Sequence, residues 1–147
     1  PWMKLIGETR WVNMANSSFN ASTVRLNGPV SMPFPFPLGY EDQWVFIAGT
    51  EFKLSRYWRL DLGYNYATNP IPREHFFPLC PAIMQHHVTL GLRYETDKWW
   101  VGGGYIYGFS ASHAGNGRTR IPLGVDYAFS DVDQRQQSIF FGFGFHW

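Results

Sequence analysis

Strict alternation over long runs constrains this chain more than any other feature. In "YWRLDLGYNYA", Trp58, Leu60, Leu62, Tyr64 and Tyr66 take every second position, with Arg59, Asp61, Gly63 and Asn65 between them. A repeat of two residues puts successive side chains on opposite sides of an extended chain, so one face is apolar and the other small or charged. The period recurs in "WVFIAGTEFKL", where Trp44, Phe46, Ala48, Thr50, Phe52 and Leu54 oppose Glu51 and Lys53. "HHVTLGLRYE" sets Val88, Leu90, Leu92 and Tyr94 against His87, Thr89, Gly91, Arg93 and Glu95. "WWVGGGYIYGF" sets Trp99, Val101, Tyr105, Tyr107 and Phe109 against Trp100, the glycines and Ile106. The last ten residues, "SIFFGFGFHW", set Ile139, Phe141, Phe143, Phe145 and Trp147 against Phe140, Gly142, Gly144 and His146. A weaker run with mixed faces covers residues 2–14. No segment carries a helical stripe, so an all-β fold of six antiparallel strands is expected.

Run length points to the surroundings of those strands. Each spans about 10–13 residues, against about 5–6 in ordinary strands and about 9–11 for a tilted strand that crosses a bilayer. Tight turns fall near Ser55-Arg56 and at Thr96-Asp97, whereas the connections over residues 15–41, 68–84 and 111–136 are long and rich in Pro, Asn, Ser and Gly. In an up-and-down arrangement every short turn then lies on one side and every long loop on the other, the asymmetry of outer-membrane barrels. Aromatic side chains near both ends of the runs, Trp58 and Tyr66 or Trp99 and Phe109, suit the two interfaces of a bilayer.

Composition agrees. Aromatic residues make up 19% of the 147 and charged residues only 16%, below the quarter usual in soluble proteins. Mean hydropathy is nevertheless -0.24, because the apolar residues are interleaved, and no run reaches the about 20 of a membrane helix. A net charge of +1 leaves no basic footprint for nucleic acid. Cys80 is the one cysteine, so no disulfide forms within the chain. Known single-chain barrels start at about 8 strands, so the strands that complete this one are expected upstream of Pro1 or on other chains. Because the chain opens on Pro1 instead of Met, it is read as a fragment or a processed product.

The face opposite the apolar one would line the lumen. Arg93, Trp100, Arg59, Glu51 and His87 are the candidate ligand contacts there, with Arg93 first for a carboxylate because a guanidinium binds one bidentately. A two-residue turn at Thr96-Asp97 would set Glu95 opposite Lys98 and Arg93 opposite Trp100, for an ion pair and a cation–π contact. Phe34, Phe36, Phe76 and Phe77 in the long loops are candidates for capturing apolar ligand outside. His86 and His87 point to opposite faces, and His75 with Cys80 matches no known ligand spacing, so neither metal nor cofactor is expected. Two other readings compete: a membrane hydrolase using Ser112 and His113, and a soluble β-sandwich binding module with the aromatic face as its core.

Specific residues add a resemblance. "DQWVFIAGTEFKLSRYWRLDLGYNYATNPIP" resembles the C-terminal third of the FadL/TodX family of outer-membrane transporters, through Asp42, Trp44, Gly49, Trp58, Leu60, Gly63, Tyr64 and Pro70-Ile71-Pro72. "PAIMQHHVTLGLRYE" and "FGFGFHW" are similar to later strands of that family. The resemblance implies an antiparallel up-and-down transmembrane β-barrel of about 14 strands, monomeric at full length, of which residues 1–147 are the C-terminal part of the one barrel domain and carry the last six strands. It implies passive uptake of long-chain fatty acids or apolar aromatics across the bacterial outer membrane, with a plugging hatch and a lateral gap outside this chain. The partners are then hydrophobic small molecules, outer-membrane lipid, and a barrel-assembly machinery that reads the terminal Trp147. "GYED" departs from the family pattern, with Glu41 where a base can sit, which implies an uncharged ligand.

Overall fold

The computed structural model describes residues 1–18, 20–26, 32–75, 83–115 and 129–146. Its strands are β1 (Met3–Val12), β2 (Ala21–Leu26), β3 (Met32–Pro37), β4 (Gln43–Lys53), β5 (Trp58–Ala67), β6 (His86–Glu95), β7 (Trp99–Ala114) and β8 (Asp131–Phe145), with a 3-10 turn at Arg73–His75. The chain is all-β. Six strands form one antiparallel sheet in the order β1-β4-β5-β6-β7-β8, an open up-and-down meander with β1 and β8 at its edges.

Three features depart from expectation. Residues 15–41, read as loop, contain the β2–β3 hairpin, a separate two-stranded sheet. The stretch "MPFPFP" looks hostile to pairing, since proline has no N–H. Its prolines, however, share one parity: Pro33, Pro35 and Pro37 stand opposite Arg25, Thr23 and Ala21. An antiparallel ladder uses the N–H of alternate residues only, so all the missing donors can fall on the free edge.

The second departure is length. β7 runs 16 residues and β8 15, beyond the expected ends at Phe109 and Ser138. The added segments, "SASHA" and "DVDQRQQ", are mostly polar and lack the apolar alternation, so hydropathy reads them as loop while backbone pairing continues through them. Between Gly108 and Ala111 the register shifts by one residue, a β-bulge. Before it the even-numbered residues of β7 share the glycine face; after it Ala111 and His113 do, opposite Gln134 and Val132.

The third is the register of β6 on β7. Glu95 stands opposite Trp100 and Arg93 opposite Gly102, so the expected Glu95–Lys98 and Arg93–Trp100 pairings are not formed. The turn is centred one residue later, on Asp97-Lys98. Thr96 holds it there: its N–H donates to the Trp99 carbonyl at 2.8 Å, and its hydroxyl donates to the same oxygen at 2.9 Å and accepts from Trp99 N–H at 3.1 Å. Moving the turn by one residue slides the strands by two, so every side chain keeps its face. At the other tight turn the register is as read, with Glu51 opposite Asp61 and Lys53 opposite Arg59.

The sheet therefore has one apolar and one polar face. The apolar face lies open: Phe141, Phe143, Leu90 and Leu5 are among its exposed side chains, Phe141 at 85%. Among the described residues no second sheet faces it, as the sandwich reading would require. Burial is found elsewhere, at the end where the long connections meet. Leu38, Tyr40, Ile71 and Ile83 form the core cluster, with Met14, Ala111 and Val132 packed on it. Gly39 lies beside it at φ 62°, and a Cβ there would stand 2.1 Å from Nδ1 of His75, so the position requires glycine for both backbone and space.

Candidate functional site

The polar face is organised in rows across the strands, because directly paired residues share a face. Lys53, Arg59 and Arg93 make a cationic row over β4, β5 and β6. Glu51 and Asp61, opposite each other in the next row, make an anionic one. Like charges thus stand directly opposite along each row, and diagonal contacts offset them. Arg93 reaches across β5 to Glu51, its Nη2 donating to Oε2 at 2.7 Å. Glu95 lies 3.8 Å from Arg59 Nε, 3.9 Å from Arg93 Nε and 3.6 Å from His146 Nε2. Four of the five expected lumen contacts, Arg93, Arg59, Glu51 and Trp100, therefore gather near the short-turn end of this face.

His87 does not join them. It is six residues from Arg93 along β6, about 20 Å of extended chain, and packs with Met84 over Gly108. His86 is on the apolar face, where its Nδ1 lies 2.7 Å from the Tyr64 hydroxyl. Among the described residues no group of three His, Cys, Asp or Glu is placed to hold a metal. The backbones of Phe34 and Phe36 lie in β3; Phe76, Phe77, Cys80 and Trp147 fall outside the described residues.

Beyond the charges, toward β8, the face is floored by glycine. Gly91 and Gly104 are paired across β6 and β7, and Gly102 and Gly142 across β7 and β8. Two rings lie on this floor. Trp100 covers Gly144 and Gly142, where added Cβ atoms would stand 2.4 and 3.1 Å from its indole. Phe140 covers Gly104 with its ring edge at 2.3 Å from such an atom. Between the rings and the charges a cavity of about 240 Å³ opens, bordered by Asp61, Arg93, Trp100 and Phe140 over Gly91, Gly102 and Gly142. Phe140 was missed as a site residue although the alternation places it among glycines; a lone large ring on a glycine face is the signal that finds it.

At the opposite end the connections are stitched into a cap. Asn20 bridges residues 15 and 40: its Oδ1 accepts from Tyr40 N–H at 2.6 Å, and its Nδ2 donates to the Ala15 and Tyr40 carbonyls at 3.0 Å each. Glu41 N–H donates to the Pro70 carbonyl at 2.8 Å, and Gln43 Nε2 donates to the Thr68 carbonyl at 2.8 Å. His113, turned to this side by the bulge, has Nδ1 3.2 Å from Asn69 Nδ2. Burial, and then the charge of Arg73, hold its imidazole below its ordinary pKa of 6.5. Ser112 points the other way and pairs with Asp133. The two residues of the hydrolase reading thus sit on opposite faces and make no nucleophile–base pair.

Comparison with protein-family models, with curated proteins and with solved structures finds no match to this chain. The FadL/TodX resemblance accordingly rests on the quoted residues alone.

Proposed function

We propose that this chain is part of the wall of an outer-membrane β-barrel through which hydrophobic molecules, long-chain fatty acids or apolar aromatics, diffuse without covalent chemistry. The apolar face carries the reading. Near the short turns it bears a band of rings: Tyr94 touches Tyr57, Trp58 and Trp99 at centroid distances of 5.7, 5.1 and 5.5 Å. Toward the long connections a second band runs through Trp44, Phe46, Tyr66 and His86, at successive distances of 6.3, 6.2 and 4.9 Å. Leu60, Leu62, Leu90, Leu92 and Ile139 lie between the bands. Trp58 and Tyr66 are eight residues apart, about 26 Å along the strand, which is about 20 Å of height at a barrel strand's tilt of about 40°. A barrel's outer surface carries an apolar belt about 25 Å tall between two aromatic girdles.

In this reading the polar face lines the lumen, the cap lies outside the cell, and further strands pair with β1 and β8, since open edges leave backbone groups unpaired in lipid. The ligand class comes from the FadL/TodX resemblance. Cells expressing the complete gene provide the test. The protein should fractionate with the outer membrane and migrate differently on gels before and after boiling. A labelled long-chain fatty acid or toluene should accumulate faster than in cells lacking the gene. A folded, monodisperse species in buffer without detergent would overturn the membrane assignment. An outer-membrane protein whose loss leaves both uptakes unchanged would overturn transport.

A further inference from the structure

The cavity between Arg93 and the two rings has a chemistry of its own. It lies over Gly91, Gly102 and Gly142, which raise no side chain from the sheet, and is bordered by the rings of Trp100 and Phe140. Glycine backbone beside two aromatic rings suits a planar ring, which can stack on one or meet its edge. At about 240 Å³ it exceeds the about 150 Å³ in which an apolar protein cavity holds benzene.

Its charges disfavour anions. Arg93 is the cation at the rim, and Glu51 already occupies its Nη2 at 2.7 Å. Asp61 borders the same cavity, and Glu95 stands 3.9 Å from Arg93 Nε. An incoming carboxylate would share the guanidinium with Glu51 and sit beside two more carboxylates.

We infer that this basin binds an uncharged one- or two-ring aromatic molecule, and that Glu51 is the residue that turns carboxylates away from Arg93. The inference rests on the lumen reading in one respect, that the polar face encloses the passage. Glu51 acts through Arg93 and is a positioning residue for specificity.

Two probes with the same ring and different charge test it: 2-naphthol and 2-naphthoate, measured by equilibrium binding to the full-length protein in detergent against empty micelles. The naphthol should bind saturably and the naphthoate at least about tenfold more weakly. Glu51→Gln keeps the side-chain shape and removes the charge; it should strengthen naphthoate binding about tenfold while naphthol binding stays the same. Trp100→Ala should weaken naphthol binding, with unchanged gel mobility before boiling as the check on folding. Naphthoate binding equal to naphthol in the native protein would overturn the inference. So would a naphthol-to-naphthoate ratio unmoved by Glu51→Gln, or naphthol uptake no greater than that of empty micelles. Failure of transport reads out separately: binding without gene-dependent uptake removes the transporter and keeps the site, and uptake without binding does the reverse.

Discussion

At the scale of single residues, the glycines of β7 and β8 are spaces kept for rings. Gly144 shows this most sharply, because a Cβ there would stand 2.4 Å from Trp100 Nε1 and 2.9 Å from Cε2. Gly144→Val forces the indole off the sheet, and overpacking of this kind costs about 1–3 kcal/mol. The urea midpoint of the protein in detergent should fall accordingly, and part of the loss should return when Trp100→Ala is added. An unchanged midpoint would mean that the indole does not rest there. The sequence makes it legible that Trp100, Gly142 and Gly144 share a face, because side-chain direction follows from parity alone. It does not disclose that Trp100 stands opposite Glu95 instead of Arg93. That pairing depends on where the turn closes, which the Thr96 N–H and hydroxyl hold together against Trp99.

Among the elements, the cap is what alternation could not foretell. Its described segments are residues 13–18, 20–26, 32–42, 68–75 and 83–85 with the ends of β7 and β8, and their buried side chains sit far apart in the chain. Asn20→Ala removes three hydrogen bonds that tie residues 15 and 40 together, each contributing about 0.5–1.5 kcal/mol. Limited proteolysis should then cut residues 13–42 faster while β4 to β8 stay protected; equal cutting rates would show that the bridge contributes nothing. His113 gives the cap a pH dependence. Its folded-state pKa lies below the ordinary 6.5, so its contribution is complete above that value and is lost as pH falls through it toward the folded pKa. Proteolysis of the cap should therefore quicken on acidification below about pH 6.5, and His113→Gln should flatten that response. The bulge that turns His113 to this side has no signature in "GFSAS", because one extra residue in a strand shows only against its partner.

Taken whole, the described molecule is an open sheet with most of its large apolar side chains on one face and its small and charged ones on the other. Leu90 lies midway between the aromatic bands, next to Leu62 and Tyr105. In the proposed barrel, Leu90→Arg puts a charge at the bilayer midplane at a cost of about 2–4 kcal/mol, whereas Phe109→Arg near the interface costs about 0–1 kcal/mol. Unfolding of the protein in lipid vesicles should show that depth dependence, and equal effects at the two positions would count against a bilayer on this face. The sequence by itself determined the strand class, six of the strands and, up to the bulge, the membership of each face, because a two-residue period and side-chain size are local properties. Only the tertiary structure decided the β6–β7 register, the bulge, the proline-rich hairpin, the cap and the ring-walled basin. Each of these is set by contacts between residues far apart in the chain, where one turn, one extra residue or one parity of prolines selects among ladders that the local pattern allows equally.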